Sequence, residues 1–279
     1  MGQRLNKRLL AIVSTILFVV YLFVATFNYT IVGVNRIALD VAEPIFLSER
    51  SRSDLSIAFL SDLHVSSSHE SLARLDELVS SVIAEAPDLV ILGGDLVDGS
   101  VPDEELQELR HGVAVRLGRI TDVPLLSVLG NHESWTNPVA WKRELNRFGV
   151  IVIDGHVEVF GLLGLCVRGF GDAYSGKFKH VEFPLNCSEM TKISVTHDPA
   201  GAFKPGVEGL VLAGHTHCGQ IRFPLLGAPW VPSDAPPEAH CGLYEDSIRT
   251  VFVSSGVGTS LLPFRFGAQS QWDLISLTR

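Results

Sequence analysis

Five short, almost uninterrupted apolar runs punctuate the chain, at residues 57–60, 89–92, 125–129, 193–195 and 210–213. Runs of Val, Ile and Leu of this length read as strands buried on both faces, because a strand with one wet face would alternate. Between them the period becomes helical. Leu72, Leu75, Leu78, Val79, Val82 and Ile83 predict a helix that Pro87 ends. Pro102 and the acidic residues after it open a second, from Asp103 to about Leu117. A third is expected from Pro138 to Arg147, stopping at Gly149. After Val150 short strands dominate, at 150–153, 157–160, 165–169, 248–254 and 273–277. Strand–helix alternation followed by a strand-rich half predicts two packed sheets with helices outside. Pro224, Pro229, Pro232, Pro236 and Pro237 mark residues 222–240 as a long irregular loop.

The first thirty residues follow another pattern. Residues 9–27 contain no charge, and Arg4, Lys7 and Arg8 precede them. An apolar stretch of roughly 18 or more residues is a membrane-span candidate, whereas a signal peptide has a core of ~7–15 and a small-residue cleavage site. Residues 28–32 offer no convincing cleavage site. The expected organisation is a cytoplasmic tip and transmembrane anchor over 1–30, a connector over 31–53, and one domain over 54–279. Basic residues lie before the span and only Arg36 follows closely, which places the domain outside the cytoplasm of a bacterium as part of a single-pass membrane protein.

Composition adds little to the domain itself. The chain has 279 residues, 46% hydrophobic and 19% charged, enough for one substantial core. A formal net charge of −9 argues against nucleic acid as a partner, since an acidic surface repels phosphate backbones. A phosphate substrate stays open where bound cations set the local field. Cys166, Cys187, Cys218 and Cys241 make no disulfide framework in a chain of this size, and each is expected as a small buried residue. Nothing in the pattern specifies an oligomeric state.

The chemistry stands at the ends of the apolar runs: Asp62-Leu63-His64, Gly94-Asp95, Gly130-Asn131-His132-Glu133, Thr196-His197 and Gly214-His215-Thr216-His217. Functional groups of open α/β sheets gather just beyond the carboxyl ends of strands. Each block alone is weak, since Gly-Asp is often only a turn and a lone histidine is more often a hydrogen-bonded core residue. Two imidazoles on alternate residues converge only at a sharp bend, which Gly214 and Gly219 permit. Together the blocks predict a two-cation hydrolytic site. Cations roughly 3.5–4 Å apart need a bridging anion, and Asp95 is the natural carboxylate. Imidazoles and an amide complete the shells without adding charge that would repel phosphate. His132, beside Asn131, can supply a proton to a leaving group. Mixed oxygen and nitrogen donors suit Mn²⁺, Fe or Zn²⁺, with Mn²⁺ favoured.

In these five blocks, in this order, residues 54–279 resemble the calcineurin-like metallophosphoesterases. The resemblance implies a four-layer α-β-β-α sandwich of two mixed sheets flanked by helices. It implies one metal held by Asp62, His64, Asp95 and His217, and a second held by Asp95, Asn131, His197 and His215, with Asp95 bridging. His132 would meet the scissile phosphate; Asp98 either orients His132 or belongs to the surface; Glu133 is structural. The stretches from Gly214 to Gln220, from Gly242 to Glu245, and from Ser255 to Gly267 resemble membrane-associated bacterial phosphodiesterases of the YaeI and YkuE type. Some relatives of that branch hydrolyse the pyrophosphate of UDP-2,3-diacylglucosamine. Many members carry other residues where Cys218 and Cys241 stand, which suggests that these two pair. The expected function is a membrane-anchored phosphodiesterase or pyrophosphatase, with a lipid-linked phosphoester as one candidate substrate. A phosphomonoesterase or protein phosphatase is the alternative, although Gly99-Ser100 and Ser134-Trp135 stand where protein phosphatases place arginine. A defunct scaffold is a third reading, weakened because every ligand is kept.

Overall fold

The apolar runs are strands because two cores compete for their opposite faces. The computed structural model describes residues 2–30, 32–40, 54–99 and 103–278, with the backbone alone at 2–6, 22–30 and 103–104. Residues 41–53 of the expected connector, Ser100 and Pro102 lie outside the described residues. One sheet orders β1 (Gly33–Asp40), β12 (Gln271–Thr278), β2 (Leu55–Leu60), β3 (Leu89–Leu92), β4 (Leu125–Ser127) and β5 (Ile151–Val152). Its neighbours are parallel except β12 and β2. The other orders β10 (Gly242–Glu245), β11 (Arg249–Val253), β9 (Gly209–Ala213), β8 (Thr191–Val195), β7 (Leu165–Gly169) and β6 (His156–Phe160). There the outer pairs, β10 with β11 and β6 with β7, are antiparallel.

Alternate residues of one strand serve different layers. Ile57, Phe59, Leu89 and Ile91 face Ile193, Val195, Leu210 and Leu212 of the second sheet. Ala58, Leu60, Val90 and Leu92 face outward, where Leu75, Val79, Val113 and Trp141 cover them. Those covering residues belong to α2 (His69–Glu85), α3 (Asp103–Leu117) and α5 (Pro138–Arg147). Truncating Phe59 to Ala would cost about 3–5 kcal/mol, because its ring lies wholly between the sheets. The Ser68 hydroxyl caps α2 by accepting from Ser71 N–H (3.1 Å), and Asn137 caps α5 by accepting from Ala140 N–H (3.0 Å). The outer face of the second sheet is covered differently. Val211, Ala213, Val251 and Val253 pack beneath Phe170, Ala202 and Val207, with a 3₁₀ turn at Pro199–Phe203 in place of a long helix.

Strand β1 falls inside the stretch expected as a connector and pairs in parallel with β12 along its whole length. Helix α1 (Gly2–Thr30) precedes it, and its large apolar side chains over residues 9–21 are 42–69% exposed. Among the described residues no helix is long and apolar enough to cross a membrane; side chains 22–27 of the expected span lie outside the description. Cys218 pairs with Cys241 (Cα–Cα 4.6 Å), as the resemblance suggested. The other two cysteines correct the expectation: Cys166 pairs with Cys187 (6.0 Å) instead of standing as a separate buried thiol. The second pair forms because Cys187 lies just before β8, the parallel neighbour of the strand that carries Cys166.

Candidate metal centre

The two sheets deliver ligands to one rim. Asp62 and His64 follow β2, Asp95 follows β3, and Asn131 and His132 open α4 (Asn131–Thr136) beyond β4. His197 follows β8, and His215 and His217 follow β9. All eight are buried. Asp62, His64, Asp95, His215 and His217 have φ between 45° and 67°, half of the ten non-glycine residues with positive φ among those described. Backbone of this kind costs of order 1–3 kcal/mol per residue and persists only where surrounding contacts impose it. Glu133 is one such contact. Its buried carboxylate accepts main-chain N–H from Asp95 (2.9 Å), Leu96 (2.8 Å) and Gly130 (2.9 Å), lashing the turn after β3 to the turn after β4. Burial, with Asp95 beside it, pushes Glu133 up to about 7 even so. Close approach supplies another constraint: a Cβ at Gly130 would collide with the Asp95 carboxylate, and one at Gly214 with Ser61 Oγ and Asp62.

Candidate ligating atoms form two groups that share Asp95. In the first, His64 Nε2 and His217 Nε2 lie 3.0 Å apart, with Asp62 Oδ1 4.0 and 3.6 Å from them. In the second, Asp95 Oδ2, Asn131 Oδ1 and His215 Nδ1 lie 3.3, 3.1 and 3.2 Å from His197 Nε2. Asp95 Oδ2 is also 3.8 Å from His64 Nε2, so one oxygen reaches both.

Hydrogen bonds behind the rings fix which nitrogen faces inward. His197 Nδ1 donates to Gly93 O (2.7 Å), and His215 Nε2 donates to Pro232 O (2.5 Å). Their other nitrogens turn lone pairs toward the Asn131 and Asp95 oxygens. Four acceptors meeting in a buried space demand positive charge, and this nitrogen–oxygen set fits a divalent cation. Titration shows the same demand. Against burial, Asp95 holds His197 well above the usual imidazole range, and His197 with His132 and His64 holds Asp95 well below the carboxylate range. In the first group Arg265 Nη2, which can only donate, faces His217 Nδ1 at 2.9 Å. The neutral His217 ring then carries its proton on Nε2, between the imidazoles, and a cation here would take that proton's place. Burial keeps both rings uncharged, lowering His64 to about 4 and His217 well below its usual range.

His132 has a different surrounding. Gly99 N–H meets its Nδ1 at 2.6 Å and Val97 O stands 3.0 Å from the same atom, so main chain on either side of Asp98 orients the ring. With its proton on Nε2 the neutral ring accepts from Gly99, and with a proton on Nδ1 the ring donates to Val97. Its Nε2 lies 3.7 Å from Asp95 Oδ2. A cavity of about 710 Å³ opens over Asp95, Asn131, His132, His215 and His217, and no lysine or arginine lines it. A larger groove of about 1000 Å³, by Ile83, Arg119 and Leu162, holds none of these groups.

Three neighbours were given no role at the site from the sequence. Trp135 stacks on His132 (centroids 5.6 Å), Tyr174 packs on His215 (4.5 Å), and Arg265 backs His217. Trp135 was within reach, two residues past Glu133. Tyr174 is set by the Asp172 turn, whose carboxylate accepts N–H from Tyr174 (3.1 Å) and Ser175 (2.7 Å). Arg265 carries no local signal, since its contact spans forty-eight residues.

Comparison with known proteins agrees with this geometry. A model of the calcineurin-like phosphoesterase family matches residues 55–219. A transmembrane protein with metallophosphoesterase domain from Danio rerio is 31% identical over 256 residues, covering 84% of this chain and 55% of that protein. The chain thus spans little more than half of that relative's length. The phosphodiesterase YaeI of Escherichia coli K12 is 27% identical over 233 residues, covering 79% of this chain and 81% of YaeI. The uncharacterized metallophosphoesterase Cj0846 of Campylobacter jejuni is 29% identical over 293 aligned positions, covering 99% of this chain and 73% of Cj0846.

Proposed function

The chain belongs to the calcineurin-like phosphoesterases, and on that premise we propose that it is a metal-dependent phosphoester hydrolase, a dinuclear phosphodiesterase or pyrophosphatase. Asp62, His64, Asp95 and His217 would hold one cation and Asp95, Asn131, His197 and His215 the other. The observation that carries this reading is the place of Asp95 Oδ2, within 3.8 Å of imidazole nitrogens from both groups. When bound, cations in such a site polarise phosphoryl oxygens and acidify the attacking water. Mn²⁺, Fe and Zn²⁺ all accept these donors, and of the three we favour Mn²⁺.

His132 would protonate the leaving oxygen. Val97 O accepts from the Nδ1–H of His132 both before and after Nε2 gives up its proton, so the ring need not move as the proton leaves. A cavity without lysine or arginine supports a diester over a dianionic monoester, which would call for cationic grips. The N-terminal helix would anchor the chain in a membrane with the domain outside the cytoplasm, where a lipid-linked phosphoester is the natural substrate. Exposed apolar side chains on α1 support the anchor, and two disulfides support an oxidising compartment.

The test is hydrolysis by the full chain, with Mn²⁺, of bis-p-nitrophenyl phosphate against p-nitrophenyl phosphate. The diester should have a kcat/KM at least about tenfold higher, and Asp95→Asn should lower its kcat by roughly a thousandfold or more, the scale of several kcal/mol of lost charge stabilisation. Preference for the monoester, or an undiminished Asp95→Asn enzyme, would remove the reading.

A further inference from the structure

Two loop tips, one at the cavity's edge and one on the hairpin whose first residue, Ile221, lines the cavity, carry side chains that water does not explain. Residues 221–227 form a hairpin closed by Phe223 N–H to Gly227 O (2.9 Å) and the return bond (3.0 Å), with Leu225 and Leu226 at its tip. Leu225 is fully exposed, Leu226 is 85% exposed, and Leu261, at the cavity's edge, is 88% exposed. Leu225 and Leu261 also take φ of 67° and 63°. Glycine adopts that left-handed conformation freely, whereas a residue with a side chain adopts it at a cost. Glycine or a polar residue would serve both tips better in water, so these leucines answer to an apolar partner.

Their surroundings identify it. Phe223 packs on Phe266 (centroids 5.5 Å), and Phe266 receives the Tyr21 ring of α1 at 4.2 Å. The hairpin and the apolar, exposed side of α1 are therefore continuous. Gln220 ties the second tip to the metal-binding bend: its Nε2 donates to Leu262 O (2.9 Å) and Phe264 O (3.0 Å), and its Oε1 accepts from Ser260 N–H (2.7 Å). Trp230 and Leu261 line the cavity that reaches Asp95 and His132. A helix apolar all round belongs in lipid, and leucine-tipped loops beside it belong at the lipid interface.

We propose that the tips at 223–227 and 260–263 dock on a bilayer surface, seating the cavity mouth at the interface so that an amphiphile's phosphoester enters without leaving the membrane. The proposal rests on the readings of α1 as an anchor and of the cavity as a phosphodiesterase site. Burial of the leucines supplies the attraction, and Gln220 keeps the docked turn in register with His217.

The experiment places the full chain in phosphatidylcholine vesicles containing lipids brominated on their acyl chains. The fluorescence that Leu225→Trp adds over the parent should be quenched by the bromolipid and protected from aqueous iodide. The opposite pattern, or a chain that does not float with vesicles, overturns the proposal. A second arm compares Leu225→Ser/Leu226→Ser with the parent on bis-p-nitrophenyl phosphate in solution and on a diacylglycerol p-nitrophenyl phosphodiester in the vesicles. The lipid substrate should lose about tenfold or more in kcat/KM, as expected for two leucines withdrawn from an apolar phase, while the soluble diester stays within about twofold. Equal losses on both, no loss on either, or dispersal of a dimer by the double variant would each assign the leucines another role. Quenching with no diester hydrolysis by the parent would instead sink the phosphodiesterase reading and leave the docking intact.

Discussion

Residues at this site are defined as much by what lies behind them as by what they face. His132 differs from the other histidines of the site because its Nδ1 meets both a main-chain donor, Gly99 N–H, and a main-chain acceptor, Val97 O. A proton donor should matter in proportion to the basicity of the leaving oxygen. His132→Ala should therefore lose roughly 10²–10⁴ in kcat on an alkyl diester and far less on a nitrophenyl one. Bound metal, measured by elemental analysis, should stay at the parent's level. An equal loss on both substrates would reassign His132 to binding. His197 carries the opposite signature, holding a proton above the usual range because Asp95 faces it across 3.3 Å. Metal must displace that proton. As pH falls through the raised pKa the metal-free form gains the proton, so affinity should drop by up to about one decade per pH unit for each proton released. Calorimetry in buffers of different ionisation enthalpy reads that release directly; an uptake independent of buffer would show the Asp95–His197 pair to be unprotonated. His64, lowered to about 4, should add nothing to this dependence above pH 5.

At the scale of elements, what constrains the ligand turns is local and can be removed piece by piece. Cys218, at φ 54° and next to His217, is bonded to Cys241, whereas Cys166–Cys187 joins β7 to the turn before β8, away from the ligands. A disulfide typically contributes about 2–4 kcal/mol. Both Cys218→Ser/Cys241→Ser and Cys166→Ser/Cys187→Ser should therefore lower Tm. Only the first should also weaken metal binding, by about tenfold, the loss typical when support of a ligand is removed; titration against a competing chelator separates the two. Equal metal affinities would mean that Thr216, whose hydroxyl donates to His240 O (2.8 Å), holds the bend without the bridge. The same locality decides what could be read from sequence. Strands 57–60, 89–92 and 210–213 were legible because both faces are buried and no polar position interrupts them. Strand β1 was not, since Asn35 and Arg36 break its pattern at a half-exposed edge. Helix α4 spans six residues, too few to show a period, and Gly242–Glu245 is an edge strand with two exposed positions. The candidate ligands were legible because each stands at a strand end. Arg265 and the Cys166–Cys187 bridge were not, because only the folded chain brings their partners near.

At the scale of the molecule, the two sheets meet in a shared apolar layer through Phe59, Ile91, Ile193 and Leu212, and again at the rim where Asp62, Asp95 and Asn131 face His197, His215 and His217. Cations bound there would bridge the sheets, so their binding energy adds to the stability of both at once. Ligand that binds only the folded state stabilises it by about 2.7 kcal/mol at a hundred times its Kd. For a domain of this size, that corresponds to a rise in Tm of roughly 5–10 °C. Calorimetry of the Mn²⁺-loaded and chelator-treated chain should show one transition in each case, moved down as a whole by chelation. The shared layer predicts this: neither sheet can open without exposing Phe59, Ile91, Ile193 and Leu212, all of them wholly buried. Two separating transitions on chelation would mean that the rim, and not the apolar layer, couples the sheets. An unchanged Tm would mean that the ligands of the second sheet do not share a cation with those of the first.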